Sequence, residues 1–359
     1  MAATHVEGEL RRFLEICNAC RYCEGYCSVF PALELRRQFL SGDLNYLANL
    51  CHDCRGCYYS CQYAPPHEFA LNLPRAFSAQ RLETYEKYAW PGRFAAIFRR
   101  NGIWTSALAL ACIALFLILA LPIRSRIQAG SGGSFYRIVP ENAMIGITGS
   151  AFLFSVFALT IGIVRFWRNT NGPAVSASSL STALVDVLSL RNLGGGGDGC
   201  NYKDESFSRT RRYYHHSLFY GFLFCFASTC TAAFYEHVLG RISPYPLSSL
   251  PVLLGTVGGI GMLIGIGGLV RIKVDSDPLP ASHLLMNIDY CFLILLFVVA
   301  ATGLLLLVVR WTAGMSTVLA IHLGIVVALF LMLPYCKFVH GLYRAAALVR
   351  FASERPSRK

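Results

Sequence analysis

Hydrophobic positions divide the chain into two unlike parts. Up to about residue 100 they are scattered among polar residues or set at helical spacing, and beyond it they gather into long runs separated by polar, basic segments. The runs cover roughly 103–122, 143–166, 216–238, 251–270, 287–309 and 318–339. Each can cross a hydrocarbon core that needs about 20 helical residues. Six membrane spans are therefore predicted, the first short and ended by Pro122. In the polar part, residues 5–16 have the pattern of a short amphipathic helix, and Leu33, Leu35, Phe39, Leu40, Leu44, Leu47 and Leu50 make a helical stripe. Ala64-Pro65-Pro66 marks a turn before another helix. Tyr85, Tyr88, Trp90, Phe94 and Phe98, mixed with Arg93, Arg99 and Arg100, read as an interfacial segment entering the bilayer. The expected architecture is mainly α: a small domain over 1–100, a six-helix transmembrane bundle over 101–345 and a basic tail over 346–359.

With 55% hydrophobic and 14% charged residues, the chain is too apolar for an ordinary soluble protein. The net charge of +12 would suit nucleic acid, but the basic residues flank the spans, where they set topology, so no nucleic-acid partner is expected. Arg165, Arg168, Arg191, Lys203, Arg209, Arg211, Arg212, Arg271, Lys273, Lys337, Arg344, Arg350, Arg355, Arg358 and Lys359 fall on one side of the predicted bundle. Only Arg124, Arg126, Arg137, Arg241 and Arg310 fall on the other. The positive-inside rule then puts both termini in the cytoplasm, with the bundle in lipid. Met1 to Arg12 lacks an apolar h-region, so no cleavable signal peptide is expected. The long connection 167–212, with Gly194 to Gly197, reads as a flexible loop and not a phosphate cradle. The glycines of span four, Gly255 to Gly268, read as a small-residue helix-packing face.

Two strings of cysteines stand in the polar part: Cys17-x2-Cys20-x2-Cys23-x3-Cys27 and Cys51-x2-Cys54-x2-Cys57-x3-Cys61, offset by 34 residues throughout. This is the spacing that holds 4Fe–4S clusters in bacterial ferredoxins. Zinc has no use for three cysteines at x2 spacing plus a fourth, and half of these residues lie too close in sequence for disulfides. Two 4Fe–4S clusters in a ferredoxin-like domain are the expectation. Ser28 and Gln62 stand where such strings usually place proline, and the intervening segment is long. The sharing of fourth ligands therefore stays open. By the ferredoxin rule, Cys27 joins Cys51, Cys54 and Cys57, and Cys61 joins Cys17, Cys20 and Cys23. Cys112, Cys225, Cys230, Cys291 and Cys336 belong to apolar runs as small hydrophobes. Cys200, in the glycine-rich loop, receives no role.

Histidines within membrane spans are functional candidates. Span three begins with His215 and His216 and ends with His237, while span six holds His322 and His340. As the two spans run antiparallel, His216 pairs with His340 near the cytoplasmic face and His237 with His322 near the other. This is the pattern of a bis-histidine haem b bundle. Eighteen residues from His322 to His340 make five whole turns, while His216 to His237 is off by about 60°, which a supercoiled 3.5-residue period restores. His215 is an alternative to His216, and His283 could replace one ligand or serve a quinone. The spacing of about 27 to 31 Å approaches the bilayer thickness, which leaves a one-haem version open. His52 and His67, beside the cysteine strings, read as packing or supporting residues.

The double cysteine string, the phrase from Leu47 to Cys57, the segment Cys61-Gln-Tyr-Ala-Pro-Pro-His-Glu-Phe69 and the histidine-bearing spans together resemble the tricarballylate- or citrate-utilisation B (TcuB/CitB) family. The membrane half is also similar to the haem b gamma subunits of respiratory nitrate reductases. The TcuB/CitB resemblance implies a bacterial inner-membrane protein that reoxidises a soluble FAD-dependent dehydrogenase, one that converts tricarballylate to cis-aconitate. Its electrons would pass to the quinone pool. A related flavin fusion in cobalamin biosynthesis leaves an oxygenase component as an alternative, beside a redox-sensing iron–sulfur protein and a zinc-stabilised channel or transporter. No nucleophile, carboxylate pair or nucleotide loop is legible, so substrate dehydrogenation is expected to belong to the partner.

Overall fold

The computed structural model describes residues 2–124, 138–197, 199–201 and 206–355. Arg126, Arg137, Lys203, Arg358 and Lys359, which entered the charge asymmetry, lie outside them.

The N-terminal domain is built from α1 (Ala2–Cys20), α2 (Val29–Glu34), α3 (Ser41–Leu50), α4 (Gly56–Tyr59) and α5 (Leu73–Tyr88). Leu10, Phe13 and Leu14 fall on one face of α1 at helical spacing and are buried with Phe77 of α5 in the same core. The Asp43 carboxylate accepts from the backbone N–H of Leu40 and closes the first turn of α3. From Leu44 onward α3 is buried all round, so its polar residues need partners. The Asn45 carbonyl oxygen accepts from Gln80 at 2.8 Å, and its amide donates to Tyr88 at 2.9 Å and Asn169 at 3.1 Å. Leu35 and Leu40, placed in the apolar stripe, are exposed, because α2 ends before them and the chain turns.

Six described helices are long and apolar enough to cross a membrane: α6 (Asn101–Arg124), α7 (Glu141–Asn169), α9 (Thr210–His237), α10 (Leu250–Asp275), α11 (His283–Val309) and α12 (Met315–Met332), the last extended by a turn to Tyr335. Pro122 lies within α6 and does not end it. The small-residue face of α10 packs on α9. A Cβ on Gly265 would stand 2.5 Å from the Leu218 nitrogen, so only glycine permits this approach. Leu110, Ile118, Leu153, Val257 and Val308 point outward, as a lipid-facing surface requires.

The connection after α7 is not a bare loop. It contains α8 (Ala177–Leu188), a short 3₁₀ turn at Arg191–Gly197 and a two-residue antiparallel pair of β1 (Cys200–Asn201) with β2 (Phe207–Ser208). The sixth span also ends earlier than the apolar run suggests. Pro334 lies in a 3₁₀ turn, Cys336 is extended, and the chain resumes as α13 (Val339–Glu354). Residues 346–354, expected to begin a basic tail, are the second half of that helix. Arg350 and Glu354 of α13 form a buried ionic network with Arg36 and Asp43.

The N-terminal domain sits on the end of the bundle where α7 and α10 finish and α9 begins. Arg55 donates to the Asp277 carbonyl at 2.9 Å, Tyr59 to the Asp277 carboxylate at 3.0 Å, and Arg211 to the Asp53 carbonyl at 2.7 Å.

Candidate cofactor sites

The two cysteine strings fold as a repeat. Arg21 and Arg55 each follow the second cysteine of their string, 34 residues apart, with φ of 54° and 66°. A left-handed residue at this point turns the chain back over the preceding cysteines. The turns are closed alike, by Glu24 N–H to the Arg21 carbonyl at 3.1 Å and Tyr58 N–H to the Arg55 carbonyl at 2.8 Å.

The sulfurs ring two voids. Cys17, Cys20, Cys23 and Cys61 line one, with Cys57 also on its wall. Cys27, Cys51, Cys54 and Cys57 line the other. The electrostatics sort them in the same way. Burial pushes the Cys17 thiol up to about 12, with Cys61, Cys23 and Cys20 adding to it. Burial likewise holds Cys27 well above the usual thiol range, with Cys54 and Cys51 adding to it. Thiols facing one another in this way cannot ionise together without a compensating cation, and metal coordination supplies one. Among the described residues no three His, Cys, Asp or Glu converge on one point as a single metal ion needs. Sets of four spread around a void suit a multi-iron cube instead. The cross-string sharing of the ferredoxin rule is the arrangement these voids present.

A third cavity, of about 150 Å³, lies where the domain meets the bundle. His215 of α9 and His340 at the start of α13 face each other across it, ring centres 6.3 Å apart. Two imidazole nitrogens bound to one metal at about 2 Å each, with each ring centre about 1 Å behind its nitrogen, stand about 6 Å apart. The His340 Nδ1 is bonded to the Lys337 carbonyl, which leaves its other nitrogen to the cavity. The His215 Nδ1 is buried and has no hydrogen-bond partner. Arg55, Arg81, Arg211, Lys273, Lys337 and Arg344 share the wall, against Asp53 and Asp289. Asp289 is already held by Lys273 at 2.5 Å and Lys337 at 2.6 Å. Burial, with Arg81 alongside, pushes the Arg344 guanidinium down to about 10, a mark of crowded cations. Two facing imidazoles among excess cations fit a haem with two carboxylates.

The other sequence candidates fall elsewhere. His216, one position on, is turned by about 100° and packs on Tyr220. Its expected pairing with His340 is therefore replaced by that of His215. His340 is not on the same helix as His322, so the five-turn argument fails at Pro334. His237 lies half-exposed with Nδ1 3.6 Å from Glu141. His322 lines a separate apolar cavity and bonds Thr302 at 2.9 Å, so the structure does not bring His237 and His322 together. His283 is exposed at the start of α11. His67 accepts from the Phe69 N–H at 3.0 Å and packs edge-on against Tyr63 and Phe69.

His52 and Cys200 matter more than their sequence contexts suggest. His52 lies on the walls of both the second cysteine void and the histidine cavity, with Nδ1 bonded to the Leu50 carbonyl at 2.7 Å. Cys200 is buried on the same cavity wall as Cys54. His52 comes with the second cysteine string itself, whereas no spacing signal marks Cys200, which only the packing of the interhelix connection against the domain brings in.

Comparison with known proteins places the cysteine-bearing part in a Fer4-like domain. Residues 100–359 match the family model described as citrate utilization protein B, and residues 10–87 match that of the citrate utilization protein B Fer4-like domain. Citrate utilization protein B of Escherichia coli is 44% identical over 354 residues, which is 98% of this chain and 93% of that relative. No solved structure matches.

Proposed function

The chain belongs to the citrate utilization protein B family, and on that premise we propose that it carries electrons from a soluble FAD-dependent dehydrogenase of a tricarboxylate to membrane quinone. One observation carries the reading. The wall formed by His52, Asp53, Cys54 and Arg55 is common to the second cysteine void and the His215/His340 cavity. Redox groups on its two sides would be separated by a single layer of protein.

In this reading Cys17, Cys20, Cys23 and Cys61 hold one 4Fe–4S cluster, and Cys27, Cys51, Cys54 and Cys57 hold a second. His215 and His340 hold haem b. Bound there, these groups supply one-electron carriers. The protein's own contribution is to order and tune them. Gln62 points its amide at the Cys20 sulfur at 3.8 Å, and the Asp53 N–H approaches the Cys51 sulfur at 3.4 Å, contacts of the kind that set cluster potentials. Arg344 donates to the Cys51 carbonyl at 2.8 Å while lining the haem cavity, so one cation acts on both sides of the wall. The neutral His52, held far below its ordinary range by burial and the neighbouring Arg344, adds no charge there. The half-exposed first void faces the partner flavoprotein, and the membrane is the bacterial inner membrane with both termini cytoplasmic.

The test is a reduced-minus-oxidised spectrum of anaerobically purified protein, with iron, sulfide and haem assayed on the same sample. About eight non-haem irons with b-type bands are expected. His215→Ala and His340→Ala should each remove or shift those bands, while His216→Ala should not. Loss of the bands in His216→Ala alone, or iron without haem in the wild type, would overturn the assignment.

A further inference from the structure

A cavity of about 340 Å³ near the other end of the bundle lies between α9, α10, α11 and α12. Its walls are mostly apolar, with Phe222, Phe226, Val299 and Leu304 among them, and one imidazole, His322, faces in. The hydrogen bonds around that ring favour one tautomer. The Thr302 hydroxyl donates to the Val298 carbonyl at 2.7 Å, as its place in a helix favours. With its proton so committed, the Thr302 oxygen accepts from His322 Nδ1–H at 2.9 Å. Nε2 is left without a proton, as an acceptor. Gly303 leaves room for the ring, since a Cβ there would stand 3.1 Å from its Cε1. The expected axial partner is elsewhere, because His237 is engaged with Glu141 and is not on this wall.

A slot of this kind, with one fixed acceptor nitrogen in an apolar membrane cavity, matches a flat apolar ring bearing an O–H. We propose that the cavity binds an isoprenoid hydroquinone whose O–H is donated to Nε2 of His322. The assignment rests on the electron-transfer reading above and gives its quinone a place. Leu218 and Leu293 line the His215/His340 cavity, and Phe222 and Leu296 line this one. On each helix the two positions are about one turn apart, roughly 5 Å, so the cavities are near neighbours. In the reverse direction, each hydroquinone gives two electrons to the protein's carriers and releases two protons, the first through Nε2 and the second to water.

The experiment mixes full-length detergent-purified protein anaerobically with a short-chain ubiquinol and follows the b-type absorption, with haem per chain and dithionite-reduced spectra as controls. Wild type should be reduced by the ubiquinol. His322→Leu should react at least tenfold more slowly, with haem content and the dithionite spectrum unchanged. Thr302→Val, which leaves the ring but frees its tautomer, should fall between. Val299→Phe, which narrows the cavity and keeps the His322 side chain, should match His322→Leu, and it keeps the test available if that variant does not fold. A loss of haem in His322→Leu would make His322 a haem ligand and overturn the proposal. Unchanged ubiquinol kinetics in both His322→Leu and Val299→Phe would place the quinone elsewhere and leave the electron-transfer reading standing. A wild type inert to ubiquinol but reducible by dithionite would remove the quinone from that reading, and this cavity's role with it.

Discussion

Removing cysteines in pairs, either from one string or from both, tests how the eight ligands are shared. In Cys17→Ala/Cys61→Ala both changes fall on one void, whereas in Cys17→Ala/Cys27→Ala they fall on both. A site short of a ligand should lose its iron entirely. The thiols of Cys17 and Cys54 are pushed up to about 12, chiefly by burial, so each costs roughly 5 kcal/mol to ionise at pH 8 without a full metal centre. The first double variant should therefore keep about four of about eight irons, and the second close to none. If each string instead held its own cluster, the two results would be exchanged. Iron and sulfide assays on anaerobic samples read the difference directly, and single variants show whether the paired losses are additive. The surviving clusters should also differ. Cys51 and Cys54 are each only 8% exposed, whereas Cys17, Cys20, Cys23 and Cys61 are partly open. Iron left in Cys17→Ala/Cys61→Ala should resist an external chelator, and iron left in Cys27→Ala/Cys54→Ala should not. About four irons in Cys17→Ala/Cys27→Ala would refute the cross-string arrangement.

Glu354→Ala leaves Arg36 and Arg350, both 7% exposed, with Asp43 as their remaining carboxylate. Breaking a buried ionic network of this kind costs about 3–5 kcal/mol, so thermal unfolding in detergent should begin several degrees lower, and an unchanged midpoint would mean the network is not formed. Tyr85 is fully buried with an unpartnered hydroxyl, and burial pushes it up to about 12. The raised value means that its stabilising contribution is complete below pH 10 and lost as pH rises through 12, about 2–3 kcal/mol in all. Tyr85→Phe should flatten that alkaline loss and cost little at pH 7, whereas an unaltered alkaline profile would count against it. Arg344→Gln removes a cation from the cavity wall, so the b-type midpoint potential should fall, and Arg344→Lys should restore most of it; equal potentials in all three would exclude Arg344 from tuning that site.

Much of this was legible in the residues. The cysteine strings predict which thiols stand together, because short covalent spacing places sulfurs within a few ångströms whatever the rest of the chain does. The spans are legible because hydrocarbon thickness demands length and apolarity from each helix alone. The histidine pairs are different in kind. Whether His215 or His216 faces inward depends on how α9 is rotated against α10, which Gly265 and Gly268 decide by admitting Leu218 and Tyr214. No property of the two adjacent histidines could reveal it. The end of span six was misplaced for a related reason. Val339 and its neighbours are apolar because they pack under the N-terminal domain and not because they lie in lipid, and hydropathy does not separate the two.

That break at Pro334 also explains how a histidine so near the end of the chain reaches the centre of the protein. A continuous helix would have carried His340 beyond the membrane, one turn past Cys336, along the axis of α12. The 3₁₀ turn and the extended Cys336 instead redirect the chain, so that α13 lies against α3 and α8 and its first turn faces α9. Arg350 and Glu354 then hold the far end of α13 on Arg36 and Asp43, on the same domain that carries the cysteines. One helix is thereby tied at its start to the histidine cavity and at its end to the cysteine domain. Loosening the ionic end should disturb the spacing across the shared wall of His52 and Cys54. The dependence of that wall on α13 makes residues 346–354 part of the site's framework, although none of them touches it.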